Sequence, residues 1–355
     1  MEVKGKKHIY LIDYLKALGI IMVIITHYEW EDKTTPFFTW VIAMAVPIFM
    51  LLMSYNFSMS FERKTSGKIM ELYQWKNVMP RIVRFTVPFA MVFALEMILE
   101  TIEGQQYSLK EVITCFLEGG IGPGSYYYPI LIQMLFLFPI IFLVVKHISW
   151  LGVAVVVLIN YAYEYYVRYS EMELDTYRLL APRYMLFLAM GCYLYFHLKN
   201  KKKYPLSVWA MLPGFAVGFG FIVWVYQLEN QPELELFRFW TRTSMLTAFY
   251  IFPIIYLLFH YLKNKKIPGK IGLIASEIGK ASYHIFLVQM VYFEFFERIL
   301  FPMNWAVLVT IGNVLVCVTL GYAFYLLEKN MHDKSTGSFL PIRIYYRKIR
   351  GFVHN

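Results

Sequence analysis

Long apolar segments recur along the whole chain, and they constrain its fold more than any other feature. A membrane-spanning helix needs about 20 mostly apolar residues. Only 16% of the 355 residues are charged, whereas soluble domains average about 25%. The sequence therefore predicts an all-α, polytopic membrane protein with about ten transmembrane helices. The predicted spans are 9–28, 36–58, 80–101, 126–145, 149–167, 180–198, 206–228, 243–262, 280–300 and 305–327.

The segments between these spans alternate in charge. Lys and Arg are concentrated at 197–205 and 260–270, whereas 29–36 and 100–111 are acidic or mixed. Loops rich in Lys and Arg stay in the cytoplasm. The pattern predicts that both termini are cytoplasmic, and the residues 146–148 predict a tight hairpin between the fourth and fifth spans.

We expect two parts in the chain, an integral membrane domain over 1–330 and a basic cytoplasmic tail over 331–355. The three cysteines, Cys115, Cys192 and Cys317, are far apart and lack the spacing of metal ligands. We therefore expect no metal site, and nothing in the sequence indicates a nucleic-acid partner.

Two ionisable residues in the first span suggest a function, because such groups are rare inside membranes unless they act there. Lys16 and His27 are eleven residues apart. On a helix their directions differ by only about 20° around the axis, so they share a face, and they lie about 16 Å apart along the axis. Separately, Lys16 could reach the cytoplasmic interface and pair with Asp13, and His27 could lie among the outer headgroups. Their shared face favours a functional pair.

Arg81 and Arg84 lie at the predicted start of the third span. Residues three apart are neighbours on a helix, and two guanidinium groups suit phosphate oxygens. The N-terminus of a helix also favours anions. The alternative is a cationic anchor at the cytoplasmic interface. Together with Lys16, the arginines predict a cytoplasmic phosphate site.

Coenzyme A fits this geometry, because its phosphorylated head carries a pantetheine arm of the same order as the separation of about 16 Å. His27 would meet the thioester and take a proton from an acceptor hydroxyl, since imidazole titrates near neutral pH.

Several segments resemble the acyltransferase-3 family of bacterial membrane O-acyltransferases. "IDYLKALGIIMVIITH" resembles the first helix of the family, in which an arginine, ten residues and a histidine correspond here to Lys16 and His27. Arg81 and Arg84 match the arginine-x-x-arginine motif of the third helix. "VPIFMLLMSYNF", "GPGSYYYPILIQMLFLFPI" and "GKASYHIFLVQM" are similar to the second, fourth and a late helix. The resemblance runs from residue 9 to 327.

The resemblance implies a bacterial plasma-membrane enzyme that takes an acyl group, usually acetyl, from cytoplasmic acetyl-CoA or another short acyl-CoA. The implied acceptor is a hydroxyl of an extracytoplasmic or lipid-linked glycan, and the partners are membrane lipid and this glycan or glycolipid. The chain departs from the family pattern at three positions: Lys16 replaces the arginine, Tyr55 replaces a glycine, and Gln289 replaces a histidine.

Five further polar residues are candidates for binding the acceptor. They are Glu29, Glu96, Glu100, Tyr127 and Gln289. The carboxylates could equally be solvated at the interface or in a loop, and the tyrosine could belong to an aromatic belt.

The leading hypothesis is transmembrane acyl transfer, with His27 as general base or as an acyl-carrying nucleophile. The general base is our preferred interpretation. One alternative is a transporter of glycans or lipid intermediates without acyl-transfer chemistry. Another is a sensor or scaffold built on an inactive acyltransferase core.

Overall fold

The computed structural model describes residues 8–28, 35–64, 68–228, 234–300 and 305–335. Within these ranges the chain is helical and contains no strand. The helices of ten or more residues are α1 (Tyr10–His27), α2 (Ala45–Lys64), α3 (Trp75–Ile102), α4 (Leu109–Glu118), α5 (Tyr127–Ile148), α6 (Trp150–Tyr169), α7 (Met185–Lys199), α8 (Val208–Tyr226), α9 (Met245–Leu262), α10 (Gly269–Val291) and α11 (Ala306–Ser335).

Among the described residues, nine helical segments are long and apolar enough to cross a membrane. This confirms the predicted all-α membrane fold. The exception is the predicted span 180–198, where a 3-10 turn at Ala181–Tyr184 leads into α7, a helix of 15 residues. Most residues of α7 are buried among neighbouring helices. Because protein rather than lipid surrounds it, α7 does not need the length of a lipid-facing span.

The turn between α5 and α6 is as tight as the sequence predicts. Helix α5 ends at Ile148 and helix α6 begins at Trp150. Ser149 alone links them, with a φ of 56°. At the other end of the chain, α11 continues to Ser335, past the predicted boundary at 330, and the rest of the predicted tail lies outside the described residues.

Helices α1 and α10 run in parallel and contact each other along their length. Ser276 donates a hydrogen bond of 2.8 Å to the Asp13 carboxylate, and just beyond the end of α10 the ring centroids of His27 and Phe293 are 5.8 Å apart. Gly279 lies directly against the Asp13 carbonyl, where a Cβ would clash. Small residues allow membrane helices to approach closely. This contact holds Lys16 level with the middle of α10.

Candidate active site

A cavity of about 260 Å³ lies between α1, α2, α3, α5, α10 and α11. Lys16 and His27 both line it. The structure thus places both side chains on one wall, as their helical phase predicts. We call the two ends of this cavity the Lys16 end and the His27 end.

Three cationic side chains line the Lys16 end. Arg84 and Lys280 join Lys16 on the cavity wall, and Arg84 lies within electrostatic range of Lys16. The wall also carries a hydrogen-bonded pair, in which His284 Nε2 is 2.6 Å from Glu328 Oε2. The cations make this end suitable for an anionic ligand.

Sequence reasoning did not identify Lys280, His284 or Glu328 as site residues. A partial signal existed, because Lys280 and His284 are four residues apart and share a face of α10. The position of that face was unknown until α10 was packed against α1.

Apolar side chains line the cavity wall between and beside the two ends. On α1, Val23 lies between Lys16 and His27, and Phe49, Phe57, Phe85 and Leu131 also line the wall. Charged groups are costly to place in such surroundings, whereas an uncharged flexible chain is accommodated. The cavity therefore changes from cationic to apolar between its ends.

Arg81 does not line this cavity, in contrast to Arg84. Its guanidinium carbon lies 4.2 Å from the ring centroid of Phe61, and its N–H groups donate to the Asn77 carbonyl oxygen at 3.0 Å and the Ser60 hydroxyl at 3.1 Å. These contacts fasten α3 to α2. Of the two predicted arginines, only Arg84 reaches the cavity wall.

The prediction that the N-terminus of the third span helps Arg81 and Arg84 to bind an anion is wrong. Helix α3 begins at Trp75, so Arg81 is its seventh residue and Arg84 its tenth. The dipole acts mainly within the first turn of a helix. The N-terminus of α3 therefore does not assist an anion bound at Arg84.

A glycine-rich loop over residues 119–125 closes the His27 end. Gly124 has a φ of 91°. A Cβ at this position would lie 3.2 Å from the Phe286 ring and 3.5 Å from His27 Nε2. The loop backbone therefore packs against the imidazole and leaves little room for a side chain.

Two buried side chains hold this loop in place. Glu96, which has no exposed surface, accepts the Ile121 N–H at 3.2 Å and also the Gly122 N–H. Gln289 donates to the Pro123 carbonyl oxygen at 3.0 Å. Neither side chain lines the cavity. The structure thus gives these two predicted substrate-binding residues a positioning contact with the loop.

The remaining candidates differ in position. Tyr127 lines the cavity, with its ring centroid 5.0 Å from that of Phe286, and the neighbouring Tyr126 also lines it. Glu100 accepts a hydrogen bond of 2.9 Å from Tyr107 and is not on the cavity wall. Glu29 lies outside the described residues.

The cavity combines a cationic end, an apolar middle and a histidine end. The sequence model of the acyltransferase-3 family, which describes an acyltransferase domain, matches residues 9–323 of this chain. The chain belongs to the acyltransferase-3 family. Membership makes it a multi-pass membrane acyltransferase. Comparisons with curated proteins and with solved structures gave no match.

Proposed function

We propose that this acyltransferase-3 protein moves a short acyl group, in the first place acetyl, from cytoplasmic acyl-CoA to a hydroxyl of an extracytoplasmic or lipid-linked glycan. The observation that carries the proposal is one cavity lined by cations at one end and by His27 at the other. Acyl transfer itself follows from the family; the donor, the acceptor and the base are our proposal.

The lining residues fit an acyl-CoA substrate from end to end. Lys16, Arg84 and Lys280 suit its phosphate groups, and the apolar middle suits the pantetheine arm. Arg84 also supplies the planar guanidinium that Lys16 lacks. With the phosphates at this end, an arm spanning about 16 Å brings the thioester to His27.

His27 acts as general base in the proposed reaction. The imidazole takes the proton of the acceptor hydroxyl while the hydroxyl oxygen attacks the thioester carbonyl carbon. The carbon–sulfur bond then breaks, and the imidazolium returns the proton to the sulfur. The products are the glycan ester and free CoA, and His27 is neutral again. A positioned base of this kind contributes about 10²- to 10⁴-fold in rate.

The glycine-rich loop supports this chemistry by fixing His27. Its backbone at Gly124 packs against the imidazole, and Glu96 and Gln289 hold the loop from α3 and α10. A base held in one orientation keeps the short approach that proton transfer requires. Glu96 and Gln289 are therefore positioning residues in this proposal.

We assign the Lys16 end to the cytoplasm, with both termini on that side, from the charges of the connecting segments. A protein in which Cys115, Cys192 and Cys317 are replaced by serine allows a test of this orientation. The exposed residues Glu171 and Lys202 receive single cysteines as Glu171→Cys and Lys202→Cys. A membrane-impermeant maleimide should label the first in intact spheroplasts and the second only after lysis. The reverse order would overturn the assignment.

The function is tested with membranes that contain the full-length chain, radiolabelled acetyl-CoA and a glycan acceptor. Alkali-treated envelope glycan from cells lacking the protein serves as acceptor, because alkali cleaves existing esters and frees the hydroxyl groups. Alkali-labile label should appear in the glycan with the wild-type chain and not with His27→Ala. Transfer of the glycan across the membrane without labelling would favour the transporter hypothesis and overturn the proposal.

A further inference from the structure

The proposed acyl transfer creates a negative charge that a general base does not stabilise. When the hydroxyl oxygen attacks, an electron pair of the thioester carbonyl moves onto the carbonyl oxygen. This oxyanion persists until the carbon–sulfur bond breaks. Hydrogen-bond donors aimed at such an oxygen are usually the largest electrostatic contribution to catalysis. A suitable donor has to lie near His27 and be free of acceptors within the protein.

The glycine-rich loop contains a tight turn whose central peptide group joins Pro123 to Gly124. The Ser125 N–H donates to the Gly122 carbonyl oxygen at 3.1 Å, and Gly124 has a φ of 91°. Proline as the second residue and a glycine of positive φ as the third are typical of a type II turn. In a type I turn the same peptide group is rotated by about 180°. Glycine, which lacks a Cβ, can adopt both forms.

Gln289 fixes the orientation of this peptide group. Its side-chain amide donates to the Pro123 carbonyl oxygen at 3.0 Å, from a position on α10 that is 0% exposed and not on the wall of the cavity. The carbonyl oxygen therefore points away from the cavity. The peptide bond is planar and trans, so its N–H points in the opposite direction. The Gly124 N–H is thus directed toward the side on which Gly124 lines the cavity.

The Gly124 N–H differs from its neighbours in the loop, because it has no acceptor in the part of the chain that the structure describes. Glu96 accepts the N–H groups of Ile121 and Gly122. The Ser125 N–H donates within the turn. Backbone N–H groups that lack any partner are rare in folded proteins. This one borders a cavity, so a bound substrate can supply the acceptor.

The distance to His27 suits a shared reacting centre. A Cβ at Gly124 would lie 3.5 Å from His27 Nε2, so the Gly124 Cα lies within about 5 Å of that nitrogen. A hydroxyl held by a base is about 3 Å from it, and the carbonyl carbon under attack is about 3 Å further. The carbonyl oxygen then comes within reach of the Gly124 N–H. The dipole of α5, which begins at Tyr127, also favours a negative charge at this end.

We propose that the Gly124 N–H donates a hydrogen bond to the oxyanion of the acyl-transfer intermediate, and that Gln289 holds the peptide group in the required orientation. The oxyanion accepts this bond without taking a proton. Its electron pair re-forms the carbonyl as the carbon–sulfur bond breaks, and the CoA sulfur receives the proton of the His27 imidazolium. Gln289 is a positioning residue in this step. The assignment rests on the proposed function.

Replacement of one backbone atom tests the donor. In cell-free synthesis of the full-length chain in lipid nanodiscs, glycolic acid inserted at position 124 replaces the Gly124 N–H with an ester oxygen. The rate at saturating acetyl-CoA and alkali-treated envelope glycan should fall about a hundredfold. The dissociation constant for acetyl-CoA should stay within twofold of the wild-type value. The same replacement at Gly104 is the matched control and should leave the rate unchanged, because Gly104 has the same φ of 91° in an exposed turn.

Acetyl-dithio-CoA, in which sulfur replaces the carbonyl oxygen, separates a lost donor from a displaced base. Sulfur accepts hydrogen bonds weakly, so the wild-type chain should prefer acetyl-CoA. The ester at position 124 should reduce that preference at least tenfold, whereas displacement of His27 would slow both substrates equally. An unchanged rate or an unchanged preference in the ester variant would overturn the role of the Gly124 N–H.

Gln289→Met tests the positioning role, since it keeps a similar side-chain volume and removes the donor. We expect a rate about tenfold lower and a smaller preference for acetyl-CoA over the dithio compound. Gln133→Met is the control and should keep the preference, because Gln133 donates to the Leu179 carbonyl oxygen at 2.7 Å and does not line the cavity. Full retention of rate and preference in Gln289→Met would overturn the role of Gln289. If the wild-type chain transfers acetyl to the glycan from neither compound, the proposed function fails instead.

Discussion

The two ends of the cavity are built in different ways. Side chains from α1, α3 and α10 supply the charges of the Lys16 end, each from within a regular helix. At the His27 end, one imidazole faces the backbone of a loop that Glu96 and Gln289 hold in place. The Lys16 end is therefore characterised by the charges of its side chains, and the His27 end by the fixed position of one imidazole.

This difference separates two kinds of expected defect. Loss of a cation at the Lys16 end weakens the attraction for phosphate and should change acyl-CoA affinity. A change at the His27 end alters the position or identity of the base and should change the rate at saturating donor. Four predictions, from the largest effect to the smallest, test that separation.

His27→Ala should reduce acyl transfer at least about a hundredfold, because it removes the general base. The dissociation constant for acetyl-CoA should stay within twofold of the wild-type value. Both quantities are measured on purified chain, by label transfer and by equilibrium binding. His147→Ala is the control, since His147 is exposed at the end of α5. More than a tenth of wild-type activity in His27→Ala would contradict the role of this residue.

Lys16→Met and Arg84→Gln should each raise the dissociation constant for acetyl-CoA about tenfold or more. A charge-assisted hydrogen bond contributes about 1.5–3 kcal/mol, and about 1.4 kcal/mol corresponds to tenfold in affinity. Arg81→Lys should lower the melting temperature and leave the affinity nearly unchanged, because Arg81 packs between α2 and α3. If Arg81→Lys weakened binding as much as Arg84→Gln did, the assignment of Arg84 as the cavity arginine would fail.

Gly124→Ala should lower the transfer rate about tenfold at unchanged acetyl-CoA affinity. The new Cβ is strained at a φ of 91°, presses on the Phe286 ring at 3.2 Å and reaches van der Waals contact with His27 Nε2 at 3.5 Å. Gly104→Ala is a closely matched control, since Gly104 has the same φ of 91° and nothing within 4 Å of the added Cβ. Equal losses of transfer in the two variants would show that backbone strain alone is responsible.

Glu96→Gln should have the smallest effect, a decrease of about threefold in transfer rate. The amide keeps one oxygen for the two loop N–H groups but replaces the other carboxyl oxygen with an NH2 group, so only one of its two orientations preserves the contacts. Glu100→Gln should leave the rate unchanged, because Glu100 contacts Tyr107 rather than the loop. The two variants are compared by initial rates at saturating acetyl-CoA, and a larger loss in Glu100→Gln would contradict the positioning role of Glu96.

The sequence was enough to place Lys16 and His27 on one face of α1. It was not enough to decide which of Arg81 and Arg84 lines the cavity. The first pair is a matter of helical phase within one segment. Residues three apart differ by about 60° on a helix, so one arginine can face a cavity while the other packs on a neighbouring helix. Which arginine does so depends on how α3 is rotated against α2. Sequence alone does not contain that rotation.

Glu96 and Gln289 illustrate another limit. Glu96 became a candidate as a carboxylate near the outer end of its span and Gln289 as the replacement of a family histidine, and the structure shows both as contacts of one loop. No local pattern connects either residue to Ile121 or Pro123, which are distant in sequence.

The sequence by itself determined the all-α membrane fold, the approximate lengths of the spans and the shared face of Lys16 and His27. These follow from bilayer thickness and helix geometry, which act along one segment at a time. Only the tertiary structure decided that Arg84 enters the cavity and that a glycine-rich loop packs on His27. Each of these depends on packing between helices, and such contacts join residues that no periodicity in the sequence relates.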